Sequence, residues 1–198
     1  LLDTATQQRT KGFSMYFPHL FARRSELLAL RDVCAEFSIA RTIVPILEPL
    51  KAKSDDLRRC LAVLGEAQVR TLVVTNPYLG DFLETGPATW RATLTQDFDK
   101  YPSLLPTFLC RGESRITEIT TFLNRYPNRE VAIIYWSPRF TDAELQGLVA
   151  ERRIRDHVNL HDQLSAAQRE LLPRAKAVDV LDHFHAQPRN AVYIGQEF

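Results

Sequence analysis

Four short apolar runs in this chain end on the same punctuation. Residues 42–49, 71–77, 104–112 and 131–138 each close on a polar residue beside Pro or Gly. Each run is too short for a helix and too uniformly apolar for a sheet with one wet face. Such runs read as parallel strands buried on both sides. An amphipathic stretch follows each of them, so the chain alternates strand and helix in units of about 25–30 residues, the pattern of right-handed β/α crossovers.

Further units complete the pattern. Strands are expected at 14–20, 41–47, 71–75, 104–109, 130–135, 156–160 and 175–181, and residues 191–194 read as the start of an eighth. Helices are expected at 25–37, from 55 onward, at 88–98 and after Ser114. Two helix starts are explicit: Thr141 with Glu144, and Ser165 with Gln168, have the spacing of a capping box. Ser54 and Ser114 are expected to cap the helices that follow them. Two architectures compete. A doubly wound open sheet suits 198 residues, but it usually carries a Gly-rich first turn. With seven glycines and no GxGxxG or Walker pattern, a TIM-barrel-like α/β repeat is the better reading. Six or seven units are visible, so the barrel is expected to be incomplete.

Composition bounds the partners. The formal net charge of +1 supplies no global attraction to nucleic acid or to anionic membrane. The basic groups Arg23–Arg24 and Arg152, Arg153 and Arg155 fall at helix ends, and no basic stripe with interleaved aromatics occurs. Direct contact with nucleic acid therefore has no support. No apolar run reaches the length of a membrane span. The three cysteines, at 34, 60 and 110, form no CxxC or zinc pattern, which fits reduced thiols in a cytoplasmic setting. Residues 1–14 are polar and aperiodic and precede Met15, the only methionine. They are expected to be a disordered or upstream extension, with residues 15–198 forming one domain.

Parallel strands bring their carboxyl ends together, and ligands bind there. The residues so placed are Glu48, Asn76 with Asp81, Arg111, Tyr135 and Trp136, His161 and Asp162, and then Asp182, His183 and His185, with Arg189 and Asn190 just beyond. Glu48 stands on an apolar strand where a general acid or base belongs. A capping or ion-paired carboxylate is the competing reading. His161, Asp162 and His185 are candidate proton-transfer partners. Asn76 and Asp81 are candidate ligand contacts, though Asn-Pro also simply starts turns. Arg111, Arg189 and Asn190 are candidates for binding phosphate or carboxylate. His183 and His185 would share one face of an extended segment, but no other metal signature accompanies them, so no metal or cofactor is assigned. Tyr135 and Trp136 read as core. No nucleophile motif, kinase set or P-loop is present.

Met15-Tyr-Phe-Pro-His-Leu20, Glu26-Leu-Leu-Ala-Leu-Arg31 and Ile43-Val-Pro-Ile-Leu-Glu-Pro49 together resemble the beginning of the beta protein family of bacterial and phage proteins. The similarity is nearer to an uncharacterised bacterial branch, which Asn76-Pro77 with Gly80-Asp81 and Arg189-Asn190-Ala-Val-Tyr193 also resemble. It covers residues 15–198. The resemblance implies a barrel-like α/β fold, Met15 as the native start and a chain short of a C-terminal portion. It also implies a neighbouring nuclease-like gene product as partner, in phage defence or a mobile element, and it carries over no catalytic residue.

Two functional expectations follow. One is a barrel-like module that works with a partner protein. The other is a barrel hydrolase acting on a phosphate- or carboxylate-bearing substrate, with Glu48 as general acid or base. The second expects Glu48, Asn76, Asp81, Arg111 and His161 to line one pocket.

Overall fold

The computed structural model describes residues 15–40, 42–53 and 55–181. Along them run β1 (His19–Leu20), α1 (Arg24–Glu36), β2 (Ile46–Leu47), α2 (Asp55–Glu66), β3 (Thr71–Val74), α3 (Phe82–Thr85) and α4 (Ala88–Lys100). Then come β4 (Leu104–Cys110), α5 (Ile116–Arg125), β5 (Val131–Tyr135), α6 (Asp142–Ala150), β6 (Ile154–Leu160), α7 (Ala166–Leu171) and β7 (Ala177–Val180). All hydrogen-bonded neighbours are parallel, and the seven strands lie in sequence order from β1 to β7. A doubly wound sheet would reverse its strand order at a switch point. This sheet does not reverse, and it curls into a nearly closed, TIM-barrel-like α/β fold.

Alternation along each strand divides the core in two. Val44, Ile46, Leu72, Val74, Leu105, Leu109, Ala132, Ile134, Val158 and Leu160 form the inner cluster. Met15 and Phe17 from the beginning and Val178 and Val180 from β7 pack against the same cluster. The first and last strands therefore meet around one interior. They face each other across a cavity of about 530 Å³ lined by Met15, Phe17, Arg70, Asp156 and Val178 among others. The eighth strand expected at 191–194 lies outside the described residues. The outward-facing set, including Leu47, Val73, Phe108, Ile133 and Tyr135, is covered by the helices through Leu61, Trp90, Phe98 and Phe122.

The helix starts follow the local chemistry. The Thr141 hydroxyl accepts the Glu144 N–H while the Glu144 carboxylate accepts the Thr141 N–H. Ser165 and Gln168 do the same. Ser114 differs from expectation: α5 begins after Arg115, and the Ser114 hydroxyl instead accepts the Arg111 N–H, closing the turn after β4. Ser54 lies outside the described residues. No helix among the described residues is long and apolar enough to cross a membrane.

Candidate functional site at the barrel mouth

The inner alternation continues past the strand ends and sets the mouth of the barrel. His19 pairs in register with Ile46, an inner-cluster residue, and Glu48 follows Ile46 by one full alternation. Their side chains meet, with His19 Nε2 3.1 Å from Glu48 Oε2. Glu48 is fully buried, and its Oε1 has no hydrogen-bond partner among the described residues. A buried carboxylate oxygen without a protein partner is costly unless a water or a ligand meets it. The His19 side chain is 12% exposed, so the imidazole is the half of the pair that reaches toward solvent. With Glu48 ionised, Nε2–H donates to Oε2, and Nδ1 is left to accept or return a proton.

The loop after β3 supplies the next wall. Gly80 has φ +60, and a Cβ there would lie 2.1 Å from the Leu50 carbonyl oxygen, so only glycine permits this approach. The Asp81 N–H donates to that same oxygen at 2.9 Å, and the Asp81 carboxylate accepts the Ala52 N–H at 3.2 Å. The loops after β2 and β3 are thereby tied together, which brings Tyr78 close to Glu48. Burial pushes the Tyr78 phenol above its usual range, and the Glu48 charge adds to the shift. The Tyr78 ring lies 5.5 Å from the Trp136 ring, centroid to centroid. The Arg111 guanidinium sits over the Tyr78 ring, 4.1 Å from its centroid, a cation–π contact that holds the cation at the mouth. Arg111 also pairs with exposed Glu113 at 3.1 Å, and its buried Nε has no partner among the described residues.

The expected site residues separate. Glu48 and Arg111 come together through Tyr78. The Asn76 amide is committed elsewhere: it donates to the Leu109 carbonyl at 2.9 Å and accepts the Leu109 N–H at 2.8 Å. It thus extends the β3–β4 ladder by one side chain. Asn76→Ala is expected to cost about 2 kcal/mol through two lost, partly buried backbone partners, measured by urea denaturation. Asp81 serves the loop tie. His161 and Asp162 form an exposed turn after β6, both with left-handed backbone at φ 55. Asp162 pairs with Arg169 at 2.8 Å, and no contact joins His161 or Asp162 to the His19–Glu48 pair among the described residues. Tyr135 faces the helices, where its hydroxyl meets His157 Nδ1 at 2.8 Å. Trp136, expected as core, is half-buried at the mouth end and packs against the inner cluster. Asp182, His183, His185, Arg189 and Asn190 lie outside the described residues.

A cleft of about 410 Å³ opens beside the mouth, lined by Asn76, Tyr78, Arg91, Arg111, Glu113 and Arg125 among others. Glu48, Asp81 and His161 do not line it, so the single pocket expected from the sequence resolves into a mouth and an adjoining cleft. Among the described residues no group of three or more His, Cys, Asp or Glu side chains could hold a metal ion. His19 and Tyr78 escape sequence reasoning. The available signal for His19 was its place two residues after Phe17, at the end of a strand whose inner face begins at Met15. Comparison with family models, with curated proteins and with solved structures finds no match to this chain.

Proposed function

We propose that the barrel mouth performs acid–base hydrolysis of a small anionic substrate. The observation that carries this reading is the His19–Glu48 pair: a fully buried carboxylate holding one imidazole nitrogen at the mouth of a parallel β/α barrel. His19 takes the proton of the attacking water and returns it to the leaving oxygen. Glu48 positions the ring and stabilises its charged form. Arg111, held over the Tyr78 ring, binds the phosphate or carboxylate of the substrate. A positioned acid–base group contributes roughly 100-fold or more to a proton-transfer step.

The test is turnover of a panel of small phosphomonoesters, phosphodiesters and carboxylate-bearing esters. His19→Gln is expected to lower kcat about 100-fold, and Glu48→Gln is expected to shift the pH profile as well as lower kcat. Arg111→Ala is expected to act mainly on KM. Undiminished turnover in His19→Gln, or no turnover of any member of the panel, overturns the reading.

A further inference from the structure

The cleft beside the mouth has a charge pattern that the His19–Glu48 chemistry does not use. Three arginines line it, Arg91 from α4, Arg111 after β4 and Arg125 from the last turn of α5, against two glutamates. Both glutamates are engaged: Glu113 pairs with Arg111, and the Glu118 carboxylate accepts the Arg115 N–H at 2.9 Å. The Arg91 and Arg125 side chains have no ion pair or hydrogen bond among the described residues. Arg91 is half-buried, and its guanidinium is pushed below its usual range by burial and then by the neighbouring Arg125 charge. Two like charges facing one cleft repel each other, and an oxyanion between them would relieve that repulsion. The base of the cleft is apolar, from Phe82, Phe108 and Phe122, all less than a tenth exposed. Its volume suits a small ligand.

We infer that the cleft between α4 and α5 is an anion subsite, in which Arg91 and Arg125 take a second oxyanionic group of a ligand whose first such group lies at Arg111. The ligand class is a compact molecule with two phosphate-type or carboxylate-type groups. This inference rests on the proposed hydrolysis only for placing the reacting end at Arg111.

Calorimetric titration of the protein with inorganic pyrophosphate and, separately, with a dicarboxylate tests it, with sodium chloride adjusted to hold ionic strength constant. Saturable binding of at least one of the two probes is expected, and which of them binds more tightly identifies the anion type. Arg91→Gln and Arg125→Gln are each expected to weaken that binding about tenfold, the loss of one charge-assisted contact. Arg125→Lys, which keeps the charge, is expected to lose less. Circular dichroism verifies that each variant is folded. His19→Gln is expected to leave pyrophosphate binding intact, so a failed hydrolysis reading and a failed subsite give different results. Binding no stronger than that of chloride, or binding unchanged in both Gln variants, overturns the inference.

Discussion

Arg70→Met is expected to destabilise the protein by about 3–5 kcal/mol, and Asp156→Leu by a similar amount, because each leaves a buried charge without its counter-ion. The two groups meet on the floor of the barrel, with Arg70 Nη1 3.6 Å from Asp156 Oδ1 and side-chain exposures of 18% and 5%. Their pairing is imperfect. Arg70 Nε and Asp156 Oδ2 are buried with no partner among the described residues. Burial pushes the Asp156 carboxyl up and the Arg70 guanidinium down, in each case by more than the partner's opposite charge restores. The double variant Arg70→Met/Asp156→Leu is therefore expected to be no less stable than the parent, and more stable by up to about 4 kcal/mol. Met loses the guanidinium's contacts with the Phe17 ring and the Met15 sulfur but fills the apolar space with a side chain of similar length. Urea denaturation of the four proteins measures the cycle. An Arg70→Met variant within about 1 kcal/mol of the parent would show that the pair behaves as a surface ion pair. The floor is remote from the mouth, so turnover per folded molecule is expected to survive in all four.

That ion pair was hidden from sequence reading for a physical reason. Val131 pairs with Ile154 on the outer face, and Ala132 pairs with Asp156 on the inner face, because the register slips by one residue between them. A bulge of this kind re-aims the following side chains. Strict alternation from Ile154 would have carried residue 156 outward. The strand expected at 156–160 begins instead at Ile154. The other strands lack such a slip. β3, β4, β5 and β7 fall within two residues of expectation, whereas β1 and β2, expected over 14–20 and 41–47, keep only the last residues of those runs, His19–Leu20 and Ile46–Leu47. Buried parallel strands are legible because both faces are apolar, which makes their detection independent of register.

The site was legible in position and not in membership. Parallel strands fix that Glu48, Asn76, Arg111 and Trp136 lie at one rim, and they do. Whether an amide there faces a ligand or a neighbouring backbone depends on a distance, and Asn76 is taken up by Leu109. His19 was missed because only two residues of β1 join the ladder, after Pro18. A strand that short has little periodicity to read, and its inward face becomes visible only through the pairing of His19 with Ile46.

Acidification is expected to remove about 3 kcal/mol of stability through one residue, His157. Its side chain is fully buried in the outer layer, its Nδ1 is bonded to the Tyr135 hydroxyl, and its Nε2 has no partner among the described residues. Burial, and then the Lys176 charge, lower its pKa from 6.5 to about 4. The folded protein thus keeps the ring neutral where the unfolded chain would protonate it. Above the unfolded value neither state binds the proton, and the contribution is complete. As pH falls from 6.5 toward 4 the unfolded state gains a proton that the folded state refuses, and stability is lost across that window. Asp156, on the opposite face of the same strand, has a raised pKa, so its contribution is complete below the ordinary carboxylate value and is lost as pH rises through the folded one. The raw slope therefore mixes two senses, and the difference between parent and His157→Gln isolates the imidazole. Gln can still accept the Tyr135 hydroxyl. The parent's advantage over the variant is expected to shrink by about 2.5 kcal/mol between roughly pH 7 and 4.5, followed by urea denaturation. An equal pH dependence in both proteins would show that His157 is protonated without cost in the folded state. Because the folded fraction can fall across this window, the pH profile of any turnover has to be taken at constant folded fraction. In the His157→Gln background the part of the acid limb that comes from His157 is removed.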